Sequence, residues 1–240
     1  MASKIRLYVE CDLGSDERVL MRREQAHYVF NVMRCKPSDT LLLFNGRDGE
    51  WQAKVVENTK SSGQLLCDHR TRSQEFPPDL WLLFAPVKGS RTDLIVEKAT
   101  EMGVARIVPV RTSFTIVKRV RHARLVAHAI EAAEQCGGTF VPVIEELQSL
   151  DSVLSQWSVE RNIMFCDESE ANRKRSLDRM RRGPWAILIG PEGGFSESER
   201  KCIQSAFYCN TVSLGPRILR ADTAVVASLT MWQKAFGDWR

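Results

Sequence analysis

Leu188-Ile189-Gly190-Pro191-Glu192-Gly193-Gly194-Phe195-Ser196 is an apolar, strand-like run that stops at a glycine turn and leads towards a helix. Further along, Leu214-Gly215-Pro216-Arg217-Ile218-Leu219-Arg220 repeats that form. Two such turns place bare backbone amides and carbonyls side by side, which is how an α/β protein grips a small ligand with few side chains.

The first turn is not a phosphate loop, because no Gly-Lys-Ser/Thr follows its glycines, and the G-x-G-x-x-G fingerprint is absent. Its plainest reading is a strand-to-helix connection whose glycines take backbone angles closed to other residues. A glutamate wedged between a proline and a glycine pair is nevertheless odd for a bare connector. In the second turn Arg217 and Arg220 flank the apolar pair Ile218-Leu219, and Asp222-Thr223-Ala224 follows. Read locally, the arginines are solvated charges and Asp222 or Thr223 caps a helix. Ile218 and Leu219 also suit the two faces of a flat heteroaromatic ring such as adenine.

The sequence around these turns alternates between strands and helices. Leu80–Ala85, Ile107–Val110, Asn162–Cys166, Trp185–Ile189 and Thr211–Leu214 read as strands. Ser90 with Asp93 and Ser196 with Glu199 read as capping signatures, the first opening a helix that stops at Gly103 and the second a helix to about Phe207. Arg119–Cys136 and Ala221–Phe236 complete the helices. That alternation implies a mostly parallel sheet with helices on both faces. The first seventy residues differ: Ile5–Val9, Thr40–Phe44, Trp51–Val56 and Gln64–Cys67 read as strands, with a hairpin signal at Asn45-Gly46-Arg47-Asp48-Gly49 and one helix over Glu24–Met33. This is the pattern of a small barrel. Arg70–Asp79, polar and ending in Pro77-Pro78, reads as a linker.

Composition narrows the class. Hydrophobic residues make up 43% and charged residues 27% of the 240, as in a soluble globular protein. The net charge of +4 permits a nucleic-acid partner without demanding one. Residues 1–72 hold 12 basic and 10 acidic side chains against 22 and 20 in the remainder, so a phosphate-binding surface must come from local clustering. Seven cysteines without a C-x-x-C pair argue against a disulfide framework and a zinc site. No signal-peptide core or membrane-length apolar window is present, and the economical reading is a reduced cytoplasmic protein.

The two glycine phrases, in this order and spacing, resemble those of the SPOUT methyltransferases, and more narrowly the bacterial family that methylates N3 of a uridine in 16S ribosomal RNA. Lys98-Ala99-Thr100-Glu101-Met102-Gly103-Val104 resembles that family's KATELGV stretch, and Glu131-Ala132-Ala133-Glu134-Gln135-Cys136 its EAAEQ helix. His27-Tyr28-Val29-Phe30-Asn31-Val32-Met33-Arg34 and Phe44-Asn45-Gly46 resemble segments of its first domain. The resemblance implies a PUA-like RNA-binding barrel over 1–72, a linker at 73–79, and a SPOUT domain over 80–240 that ends in a trefoil knot. It also implies a homodimer, a 16S rRNA or small-subunit substrate, and S-adenosylmethionine as methyl donor. Carried across by position, the donor would be held by three loops. Phe165 and Cys166 precede the first; Leu188, Ile189, Gly190, Pro191, Glu192, Gly193 and Gly194 form the second; Ser213, Leu214, Gly215, Arg217, Ile218 and Leu219 form the third.

The chain departs from the family at three places. Gly137-Gly138-Thr139-Phe140 stands where relatives carry arginine, Asp222 where glutamate is usual, and Pro37-Ser38-Asp39 lacks a glycine before the aspartate.

Methylating uridine N3 requires its weakly acidic proton to leave, or the developing anion to be stabilised. Arg220 is the first candidate for that cation. Glu192 and Asp222 are the nearby carboxylates, and no general base is evident. The base must be unstacked to present its Watson–Crick edge, so RNA binding should rest on phosphates and shape. Candidate contacts are Arg6, Arg22, His27 and Arg34 in the small domain, and Arg111, Lys118 and Arg119 in the large one. A third basic cluster, Arg173, Lys174, Arg175, Arg179, Arg181 and Arg182, is partly offset by Asp167, Glu168, Glu170 and Asp178. His122 and His128, six apart, do not share a helix face as metal ligands. Cys166 reads equally well as a small buried thiol, and Trp232 and Trp239 as packing or interface groups. Two rivals stay open: a SPOUT enzyme acting on a ribose 2′-hydroxyl, and a non-catalytic RNA-binding module.

Overall fold

The run Trp185–Ile189 is a strand with all five residues buried. A strand without polar alternation fits a sheet covered on both faces. The computed structural model describes residues 5–58, 63–167 and 182–239. Two compact units are present: Met1–Phe76 with Ala133–Val141, and Pro77–Ala132 with Pro142–Arg240.

The first unit contains β1 (Arg6–Tyr8), β2 (Arg18–Leu20), α1 (Arg23–His27), a π turn over Tyr28–Val32, β3 (Thr40–Phe44), β4 (Glu50–Asn58) and β5 (Gly63–Arg72). Their sheet order is β1-β3-β4-β5-β2, with β1 parallel to β3 and the other pairs antiparallel. The β3–β4 turn is fixed by Asn45, whose side-chain oxygen accepts from the Arg47 and Asp48 amides at 2.9 Å each. Inward residues of β2, β3, β4 and β5, including Val19, Leu41, Leu43, Ala53 and Leu65, make one buried core.

Three features of this unit differ from the sequence reading. Strand β2 is too short for a periodic signal. Strand β5 runs to Arg72, into the stretch read as a linker, because Arg70 pairs with Trp51 and Arg72 with Glu50, and Thr71 Oγ1 also donates to the Glu50 carbonyl at 3.0 Å. The segment 133–141 belongs to this unit although it lies far along the chain.

The second unit contains β6 (Leu80–Phe84), α2 (Arg91–Glu101), β7 (Arg106–Arg111), the larger part of α3 (His122–Cys136), β8 (Val143–Ile144), β9 (Gln148–Ser149), α4 (Leu150–Ser155), β10 (Asn162–Cys166), β11 (Trp185–Ile189), α5 (Glu197–Ser205), β12 (Cys209–Val212) and α6 (Ala221–Ala235). The strand order is β12-β10-β11-β6-β7-β8, with β9 also on β7. Every pair is parallel. Trp185 is fully buried and stacks on Phe236 at a ring separation of 5.3 Å, and Trp232 beside it is 2% exposed. Trp239 is 48% exposed.

The Ser196–Glu199 capping box forms in full: Ser196 Oγ accepts from the Glu199 amide at 3.3 Å, and a Glu199 carboxylate oxygen accepts from the Ser196 amide at 2.8 Å. The other two expected caps do not form. Ser90 takes ψ −5 and makes no side-chain cap bond, while Asp93 accepts from Arg124 Nη2 at 2.7 Å instead. Helix α6 starts two residues earlier than an Asp222 cap requires. Arg220 is its N-cap, without a side-chain bond, and Asp222 sits in the first turn, where a negative charge favours the helix dipole.

Candidate functional site

Strands β10, β11 and β12 end level with one another. Cys166 is the register partner of Ile189 on one side and of Val212 on the other. The three chains that leave these ends therefore start side by side, at the carboxyl edge of a parallel sheet where α/β folds bind ligands. They enclose an open cleft of about 710 Å³, mouth included.

Of the expected cofactor residues, Cys166, Ile189, Gly190, Pro191, Glu192, Gly194, Ser213, Leu214, Gly215, Arg217, Ile218 and Leu219 line this cleft. Three do not. Phe165 and Leu188 are fully buried in the hydrophobic core, one residue short of the strand ends. Gly193 lies instead against Phe114, where a Cβ would meet the Phe114 Cβ at 3.3 Å. The sequence reading left out Phe195, Val212, Ala221 and Ala224, which close the cleft. Apolar residues just after a turn or at a strand end were the available signal.

The cleft needs bare backbone. A Cβ on Gly190 would lie 2.6 Å from Phe195 Cε2, and Gly215 takes φ +116. Ile218, 79% exposed, stands at the mouth. Asp167 is the lining carboxylate next to Cys166; its side chain is 1% exposed, with Arg200 Nε 3.0 Å away. Burial pushes the Cys166 thiol well above its ordinary value, against a smaller opposing effect of its hydrogen bond with Ser228. A thiol raised in this way is a poor nucleophile at neutral pH.

Glu192 is exposed at the cleft edge and accepts from Arg91 Nη1 at 3.1 Å. Arg220 is exposed at the start of α6, outside the lining.

In the first unit Arg6 is a structural residue rather than a free phosphate contact. Its side chain is 10% exposed. Nε donates to Glu50 at 2.9 Å, Nη1 to the carbonyls of Ala133 and Glu134 at 2.8 and 3.0 Å, and Nη2 to that of Gly138 at 2.7 Å. The guanidinium also lies 4.7 Å from the Phe44 ring centroid. A cation at the carboxyl end of α3 satisfies carbonyls that the helix leaves open. Arg72 adds a bond to Glu50 at 3.0 Å. Burial raises the Glu50 carboxyl, but the bonds from Arg72, Thr71 and Arg6 outweigh it and hold Glu50 below its usual range.

Arg22 is ion-paired with Glu10 on the surface. His27 is exposed, its Nδ1 2.7 Å from Asn31 Nδ2, and Arg34 is exposed with φ +58. Arg111, Lys118 and Arg119 are exposed in the second unit. Of the third basic cluster, Arg173, Lys174, Arg175, Arg179 and Arg181 lie outside the described residues, as do Glu168, Glu170 and Asp178.

The chain is 29% identical over 229 residues to Ribosomal RNA small subunit methyltransferase E of Rickettsia conorii, covering 93% of each. A putative methyltransferase of Legionella pneumophila, solved with S-adenosylmethionine, superimposes with a TM-score of 0.91 at 28% identity over 99% of this chain and all of that one. Ribosomal RNA small subunit methyltransferase E of Neisseria gonorrhoeae, bound to S-adenosylmethionine, gives 0.90 at 26% identity with the same coverage. An RNA methyltransferase PUA domain matches residues 22–65 and an RNA methyltransferase domain residues 74–233. The chain belongs to the RNA methyltransferase family that this second domain defines.

Proposed function

We propose that the protein transfers a methyl group from S-adenosylmethionine to N3 of a uridine in the 16S rRNA of the small ribosomal subunit. The carrying observation is the cleft where three level strand ends meet, built on Gly190, where a Cβ would clash with Phe195, and on Gly215, whose φ of +116 disfavours any side chain. Support comes from the relatives, which are named as small-subunit rRNA methyltransferases, and from structural neighbours solved with that donor.

The lining fits the group. Backbone of Gly190–Glu192, Gly194 and Ser213–Leu219 lines the cleft, Leu214, Ile218 and Leu219 supply apolar contact, and Asp167, beside Arg200, supplies a buried carboxyl. The bound donor brings an activated methyl group. The protein contributes orientation, which in well-aligned reactions is worth several orders of magnitude. Arg220 at the start of α6 is the cation assigned to the uracil oxygens as N3 loses its proton. Glu192, held by Arg91, is assigned to orienting groups at the cleft edge. The enzyme is proposed to act as a homodimer, without a metal.

Nucleoside mass spectrometry of 16S rRNA from cells lacking the protein tests this. Loss of one N3-methyluridine is expected, whereas loss of a 2′-O-methyl mark would move the acceptor to a ribose. Absence of cofactor binding at millimolar donor would favour a non-catalytic RNA module.

A further inference from the structure

We propose that Phe114 is a stacking platform for the target pyrimidine, a positioning residue for the reaction proposed above, on which this inference rests. Phe114 is 49% exposed, yet it stands on a tightly pinned turn. The Thr115 amide donates to the Thr112 carbonyl at 3.1 Å, and the Thr112 amide donates to Thr115 Oγ1 at 2.9 Å. Ser113 ties the turn to the start of α5: its amide donates to Glu199 at 2.7 Å.

Three amides and the side chains of Thr115 and Glu199 thus hold an aromatic ring in solvent, and they hold it at a particular place. Phe114 covers Gly193, one residue from the cleft-lining Glu192 and Gly194, and its Cγ would lie 3.7 Å from a Cβ there. A base resting on this ring would stand beside the cleft, the place a methyl acceptor must occupy.

The surroundings fit single-stranded RNA. Arg111, Lys118 and Arg119 lie within five residues of Phe114 along the chain and are exposed, and Ile116 among them is 67% exposed. Aromatic faces set among basic residues bind unstacked bases with little sequence demand, since every base has a π face. A flipped uridine presents such a face while keeping its Watson–Crick edge open.

The test measures methyl transfer by the full-length enzyme on small ribosomal subunits from cells lacking the protein, alongside cofactor-product affinity and sedimentation. Phe114→Ala and Phe114→Leu should lower kcat/KM for the subunit roughly 5- to 150-fold, mostly through KM, with cofactor affinity unchanged. Phe114→Tyr and Phe114→Trp should restore the rate, because they restore a ring. A Leu variant as active as wild type would overturn the platform, as would a variant that weakens cofactor binding equally. Dissociation of the sedimenting species by Phe114→Ala would make the ring a contact between copies instead. Those outcomes leave the methyltransferase reading standing; a wild-type protein that transfers no methyl group overturns both.

Discussion

Gly190 lies beneath the ring of Phe195, so that a Cβ on Gly190 would come within 2.6 Å of the ring. The ring has nowhere to retreat. It is 3% exposed and packs edge-on against Phe165, with centroids 5.0 Å apart. The absent side chain and the fixed ring together define one wall of the cleft.

Arg220 has a role separable from the pocket, because it is exposed and outside the lining. Arg220→Ala is expected to lower the methyl-transfer rate about 100-fold or more, the usual cost of deleting a group that stabilises developing charge. Affinity for the cofactor product should be nearly unchanged. Single-turnover rates and calorimetry check this, and equal losses in both would place Arg220 in the cofactor site.

Glu50 makes the first unit sensitive to acid. Its folded carboxyl is held below its ordinary value of 4.5, so its contribution is complete above that value and is lost as pH falls through the lower folded one. Glu50→Ala should destabilise the first unit on the order of 3 kcal/mol at neutral pH, since it leaves Arg6 buried without its partner. The difference from wild type should narrow as pH falls below 4.5. Hydrogen exchange in β3 and β4 measures it, and a pH-independent difference would contradict the assignment. Arg6→Lys should also destabilise, because an ammonium cannot reach all four acceptors as the guanidinium fork does.

Ser38 takes φ +77, a left-handed conformation that disfavours residues with a Cβ. Its backbone is held there: the Ser38 amide donates to the Val55 carbonyl at 2.9 Å, and the Lys36 amide to Asp39 at 2.7 Å. Ser38→Gly relieves the strain but frees the unfolded chain, and a net gain of roughly 0.5–1 kcal/mol is expected. A loss of protection in β3 and β4 would show that the Ser38 side chain contributes more than its backbone costs.

Most of the second unit was legible because its strands are continuous apolar runs that end at glycines. Asn162–Cys166 and Trp185–Ile189 are strands over those very residues. The absence of a glycine before Asp39 was also visible, and Ser38 shows its consequence. Other features carry no local signal. The clamp of Arg6 on α3 joins groups more than a hundred residues apart, so a buried structural arginine looked like a surface charge. Asp93 looked like a cap but was drawn away by Arg124, a partner thirty-one residues distant. Phe165 and Leu188 adjoin the two turns in sequence but end in the core. Which strand residue is the last one inside the core is settled by register, and register is a relation between strands. Knot threading, implied by the resemblance, is likewise a property of the chain path that periodicity does not encode.

Calorimetric titration of wild type and Gly190→Ala with S-adenosylhomocysteine tests the central claim, that this cleft holds the methyl donor. Wild type should bind saturably. The alanine, which overpacks the wall by about 1–3 kcal/mol, should bind about tenfold more weakly or worse, with an unchanged circular dichroism spectrum. Equal affinity in both proteins, or no saturable binding to wild type at millimolar ligand, would contradict it.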